Sequence, residues 1–208
     1  MADLKLYDTI DLAPVRQYIM THGERRRFRT RRHFSSIGEP ARHIGLVVSG
    51  GFAFSRPDFK GNRQILTMAF DGELIGGYIT PGLSGRSGYD ITALCDSEVF
   101  VVKLDDLIGY MDSQLPGYRL RFTLAVAMGF MMRGTSFRCD SPETRYRELL
   151  RRIPEINRKV SMTAIASYLG ITRETFARLR NKLKGEIGDS DQSDSQNQSF
   201  RPIITPEV

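Results

Sequence analysis

Cysteine is scarce in this chain, tryptophan is missing, and no run of eighteen apolar residues occurs among its 208 residues. The two cysteines, Cys95 and Cys139, form no CxxC pair, which excludes a thiolate zinc site and a disulfide framework. Two free thiols suit a reducing compartment. The most apolar stretch, Phe122 to Met132, is far too short to span a bilayer, so no membrane partner is expected. The opening residues, MADLKLYDTIDL, hold acids where a secretory signal needs bases and an apolar block. The expectation is a cytoplasmic protein. A phosphate-binding GxxxxGK, a metal-ligand cluster and a nucleophile–base pair are also missing. Neither catalysis nor a metal is expected.

What the chain does have is ordinary globular composition, 40% hydrophobic and 26% charged, with an uneven distribution of charge. Lys and Arg total 30 against 24 Asp and Glu, a net of +6. Residues 1–139 carry 18 bases and 14 acids, whereas residues 140–184 carry 11 bases and 5 acids. The final residues, 185–208, carry one base and 5 acids. A polyanionic partner is therefore sought first in the short basic segment.

Along the chain, Leu4, Leu6, Ile10, Leu12, Val15 and Ile19 stand roughly at helical spacing and predict one or two short helices. From Arg25 to Leu104 the character changes. Eleven of the 19 glycines fall between Gly38 and Gly88 and separate short apolar runs. The spacing predicts strands at His43–Ser49, Gly51–Ser55, Gln64–Phe70, Asp90–Leu94 and Glu98–Leu104. Lys60-Gly61-Asn62 is turn chemistry between two of them, predicting a hairpin. Short strands with glycine turns point to an antiparallel roll or sandwich.

From Asp105 the pattern is helical. Asp105-Asp106 is read as the cap of a short helix ending near Met111. A long helix is predicted over Gln114–Phe137, with two apolar stripes. One holds Tyr118, Phe122, Ala125, Gly129 and Met132; the other holds Leu120, Leu124, Ala127 and Met131. One face can dock on the roll while the other meets a partner helix, and the first stripe is taken as the dimer seam. A helix buried wholly within its own domain is the simpler alternative. Ser141-Pro142-Glu143 is a strong helix start, and the helix it opens is expected to end near Pro154.

Residues 161–183 read SMTAIASYLGITRETFARLRNKL. Ser161 caps a helix with Ile165, Ala166 and Leu169 inside, and Gly170 ends it in the left-handed conformation. Thr172 caps a second helix with Phe176, Leu179 and Leu183 inside and Arg173, Glu174, Arg178, Arg180 and Lys182 outside. Two short helices, a glycine turn and a basic second helix make a helix-turn-helix. Arg173 and Arg178 can each offer a guanidinium fork to guanine, and Glu174 can accept from cytosine N4. Ser161, Thr172, Thr175, Arg180 and Lys182 are the expected phosphate contacts. The partner is then double-stranded DNA.

With these residues the chain resembles the cyclic-AMP receptor protein / fumarate-nitrate reductase regulator (CRP/FNR) family over about residues 10–184. The sharpest match is Arg173-Glu174-Thr175-Phe176-Ala177-Arg178, similar to the family's R-E-T-x-x-R recognition helix. The resemblance implies an α+β fold: an N-terminal antiparallel β-roll of the cyclic-nucleotide-binding, jelly-roll type, a long dimerisation helix and a C-terminal winged helix-turn-helix. It implies a sensory domain at 1–112, the dimer helix at 113–139 and the DNA-binding domain at 140–184; the polar acidic tail at 185–208, almost without apolar side chains, is expected to be disordered. It further implies a homodimer reading palindromic TGTGA-like half-sites through Arg173, Glu174 and Arg178, with RNA polymerase as a partner of the bound regulator.

The effector is less legible. Family members that bind a cyclic nucleotide use a Gly-Glu pair and, about ten residues on, an Arg-Ser pair. Matching Gly76 to the family glycine puts Gly77 where the acid belongs, and Arg86-Ser87 falls at the phosphate position. The missing acid disfavours a cyclic nucleotide, and the small-molecule effector is left unidentified. No cysteine precedes Cys95, which excludes the family's iron–sulfur sensor. His22, His33 and His43 are poor evidence for haem. Arg25, Arg26, Arg27, Arg29, Arg31 and Arg32 fit either a solvated edge strand or a nucleic-acid contact. Two alternatives stay open: a ligand-binding or scaffold roll without specific DNA function, and a non-specific nucleic-acid binder using the Arg25–Arg32 run.

Overall fold

The computed structural model describes residues 10–76 and 85–190, with side chains as far as Leu183. Eight strands build two four-stranded sheets: β1 (Glu24–Phe28), β2 (His33–Ser35), β3 (His43–Ser49), β4 (Gly51–Pro57), β5 (Arg63–Phe70), β6 (Leu74–Gly76), β7 (Asp90–Ala93) and β8 (Ser97–Lys103). The first sheet has the order β1-β8-β3-β6 and the second β2-β7-β4-β5. Every recorded pairing is antiparallel. The strands predicted from apolar runs are all present. The β4–β5 hairpin turns at Asp58–Asn62, where Asp58 Oδ1 accepts from the backbone N–H groups of Lys60 and Asn62. Gly61 takes φ +82°, a left-handed conformation that glycine adopts without steric cost.

The sheets face each other across a core of Val47, Phe52, Phe54, Ala69, Ile75, Ile91, Ala93, Val99 and Val101. Phe28, Phe34 and Phe52 fill one end, with ring centroids 5.6–6.4 Å apart. Alternation sends Ile44, Leu46 and Val102 to the opposite face of the first sheet. That second buried face explains why HIGLVVS and EVFVVKL read as continuous apolar runs.

Helices cover it. They are α1 (Ala13–His22), α2 (Leu104–Gln114) and the long α3 (Tyr118–Cys139). Asp105 and Asp106 do not cap α2; they lie in its first turn, where carboxylates favour the positive helix end, while Lys103 occupies the cap position. The helix expected from Gln114 begins at Tyr118, after Gly117 in a left-handed conformation.

The expected dimer seam needs correction. Tyr118, Phe122 and Ala125 are buried within the chain, and the first two join the cluster that seals the first sheet. Burial pushes the Tyr118 phenol up to about 12, and its hydroxyl donates to the Asp11 carbonyl at 2.6 Å. Gly129 and Met132, further along this stripe, line a partly open cavity. The open sheet face required an apolar cover, and the aromatic stripe supplied it. The stripe left outside holds Leu120, Leu124 and Met131, which are 66%, 54% and 65% exposed.

The C-terminal helices are α4 (Pro142–Arg152), the single turn α5 (Ile156–Lys159), α6 (Met162–Leu169) and α7 (Arg173–Ser190). Ser141 caps α4 by accepting from Thr144 N–H, as its sequence predicts. Helix α7 continues to Ser190, past the expected boundary at 184. The rest of the acidic tail, 191–208, lies outside the described residues, as do Leu4 and Leu6. No strand of a wing follows β8 among the described residues.

Candidate nucleic-acid interface

The helix pair is built from its caps inward. Ser161 Oγ accepts from Ala164 N–H at 3.2 Å and fixes the start of α6. Gly170 closes it at φ +69°, donating to Ser167, while Ile171 N–H returns to the Ala166 carbonyl. Thr172 Oγ1 then accepts from Thr175 N–H at 3.2 Å and starts α7. Ser161 and Thr172 thus use their oxygens as acceptors, which leaves a hydroxyl proton beside the backbone N–H groups at each helix start.

Burial sets which side of α7 faces outward. Phe176 is fully buried, its ring edge-on to Tyr146 at 5.0 Å, and Leu183 is buried with it. Ile165, Ala166, Leu169, Leu149 and Ile156 complete this small core. Arg173, Glu174 and Arg178 consequently share the exposed side of the first two turns. Among the described residues neither arginine forms an ion pair. The Glu174 carboxyl is held below the usual carboxylate range, first by its own backbone N–H at the helix start, then by Thr172 and the neighbouring arginines. At neutral pH it can only accept hydrogen bonds.

Two expected phosphate contacts are differently placed. Lys182 Nζ lies 2.9 Å from Glu143 of α4, a carboxylate that Arg147 also engages. Arg180 is half-buried, with its Nε enclosed. The sequence offered no signal for Arg145, which is buried and binds the carbonyls of Ser136, Phe137, Asp140 and Leu169. It ties the end of α3 to the first helix of the pair.

The helix pair also rests on the second sheet. Ala53, Ile65, Met68 and Phe70 point out of the roll into the core of the C-terminal helices. Arg152 grips Glu73 at 2.6 and 3.2 Å and the Met68 carbonyl at 2.6 Å. Lys159 meets Asp71 at 3.1 Å, and Ser167 Oγ accepts from Ile65 N–H at 3.0 Å.

Of the expected effector residues, Gly76, Arg86 and Ser87 are among the described residues. Gly76 ends β6 beside Ile44 and lines the cavity under α3. Arg86 is exposed and donates to the Gly38 carbonyl at 2.7 Å, while Ser87 is buried and bonds the Tyr89 backbone. Gly77 lies outside the described residues. The first three arginines of the run lie in β1, an edge strand, with Arg25 and Arg27 on Glu98 and Arg26 on Glu24, while Arg29, Arg31 and Arg32 follow it outside any strand. No group of three metal-ligating side chains occurs among the described residues, and no described helix is long and apolar enough to cross a membrane.

No family model and no curated protein matches this chain. Solved structures do. FixK2 from Bradyrhizobium japonicum is 22% identical with a TM-score of 0.64, over 79% of this chain and 85% of its own. CLP from Xanthomonas campestris, a c-di-GMP responsive global regulator, is 18% identical with a TM-score of 0.58, over 85% and 93%. A proposed transcriptional regulator of the CRP/FNR family from Eubacterium rectale is 16% identical with a TM-score of 0.61, over 86% and 88%. The likeness is one of fold: an antiparallel roll, then helices ending in a helix-turn-helix. This is the architecture the sequence led us to expect.

Proposed function

We propose that this protein is a transcription regulator of CRP/FNR type that binds DNA sequence-specifically as a homodimer and has no enzymatic role. The observation that carries the reading is the start of α7, where Arg173, Glu174 and Arg178 stand exposed on a helix whose rotation is fixed by buried Phe176 and Leu183. Such a helix start matches the dimensions and donor pattern of the major groove. TGTGA-like half-sites, cytoplasmic location and contact with RNA polymerase belong to the same reading. The outer stripe of α3, Leu120, Leu124 and Met131, takes the second copy. Large apolar side chains this exposed at helical spacing suit a helix–helix seam. Pairing of Arg25, Arg26 and Arg27 with Glu24 and Glu98 weighs against a non-specific binder built on the arginine run.

The test is a titration against a palindromic duplex with two TGTGA-type half-sites and a scrambled control, near physiological salt, with and without cyclic AMP. Selective binding without the nucleotide is expected. Arg178→Ala should cost about 1–3 kcal/mol and relax preference at one base pair. Equal binding to both duplexes would reject the half-site assignment. Leu124→Glu should move the sedimentation coefficient from dimer to monomer without unfolding the chain; an unchanged dimer rejects the outer stripe.

A further inference from the structure

A cavity of about 450 Å³ lies where β5, β6, the middle of α3 and the first helix of the C-terminal domain meet. Pockets that enclose small ligands measure about 300–1,000 Å³. Its body is apolar, with Ile44, Phe54, Ile75, Phe122 and Val126 in the wall. Four arginines also line it, Arg16, Arg133, Arg145 and Arg152, and Arg145 is the most deeply buried charge among them.

That arginine is unusual. It is 6% exposed, and its recorded hydrogen bonds all go to backbone carbonyls. Its Nε is enclosed without an acceptor. The carboxylates lining the cavity are each held by another cation: Glu73 by Arg152, Asp71 by Lys159 and Glu148 by Arg151. A buried guanidinium answered by carbonyl dipoles and an aromatic face, with no carboxylate partner, favours a nearby anion, because burial has stripped it of water. Carbonyl oxygens carry partial charge, whereas a carboxylate forms shorter and stronger charge-assisted bonds.

We propose that this cavity binds an anionic amphiphile, a compound with an apolar chain or ring and a carboxylate head, with the head toward Arg145. The walls come from the roll, α3 and the C-terminal helices, so an occupant would hold them together as any ligand stabilises the state it binds. The binding claim stands apart from the DNA reading, since no DNA enters its test.

The experiment is calorimetric titration of the full chain with decanoate and, in parallel, decanol. Decanoate is expected to bind one to one and at least tenfold tighter than decanol. Val126→Trp, which fills the cavity, should abolish decanoate binding while circular dichroism reports a folded chain. Thr67→Phe, on a strand that tolerates an aromatic, serves the same purpose should the first variant not fold. Equal affinity for the two compounds overturns the role of Arg145. Undiminished binding in the filled variants overturns the location, and no binding by decanoate overturns the proposal.

Discussion

The two sheets of the roll are covered on their outer faces in different ways. Over the first, Leu12, Val15, Ile19, Leu107, Met111 and Phe122 lie on Ile44, Leu46 and Val102, an apolar seal. Over the second, apolar contacts are mixed with charged and polar ones, among them Arg152 on Glu73, Lys159 on Asp71 and Ser167 on the Ile65 backbone. Apolar burial is non-directional and is lost only when water enters. A charged seam depends on register, and each of its bonds can be exchanged for water at modest net cost. The first cover is therefore an apolar seal, and the second a mixed seam that joins sheet and C-terminal helices.

The comparison breaks if the two covers respond alike to deletion. Phe122→Ala should have the largest effect, lowering global stability by about 3–5 kcal/mol in a denaturant titration. Glu73→Gln comes next. Removing the charge that Arg152 grips should weaken docking by about 1–3 kcal/mol, read as faster amide exchange across α4 to α6 with the first sheet unchanged. Uniform loosening of both sheets would contradict a separable cover.

The smallest effect is on pH. Hydrogen bonds from Arg25 to Glu98 in the roll and from Lys182 to Glu143 in the helix pair hold both carboxyls below their ordinary range. Their contribution is fully present above the ordinary glutamate value, about 4.3, and is lost as pH falls through the lower folded values. Thermal melts taken downward from pH 5 should fall, and Glu143→Gln should flatten the fall reported by the helix pair alone. Both carboxyls lie near the surface, so high salt should shrink the effect.

Legibility in the sequence followed the same division. Strands buried on two faces, such as His43–Ser49, announced themselves as apolar runs, and the helix pair showed its caps and turn. Strands β1 and β2 did not. In β1, ERRRF has only Phe28 turned toward the core, so its pairing with β8 rather than its own composition makes it a strand. The choice between the two stripes of α3 depended on an open sheet face that no local pattern records. Arg152 and Glu73 stand 79 residues apart and meet only because the second sheet and α4 do. The exposed placement of Arg173, Glu174 and Arg178 was legible because a helix start is a local property; the cavity beside Arg145 was not, because each wall comes from a different element.

The turn at Gly170 has a mechanical consequence. A Cβ there would collide with the Phe137 ring, which the Arg145 guanidinium also covers at 4.9 Å. The last aromatic of the long helix, itself half exposed, therefore lies against the bend between α6 and α7. A turn of α3 about its axis would press that ring against the bend, so the seat of α7 is set in part by the end of α3.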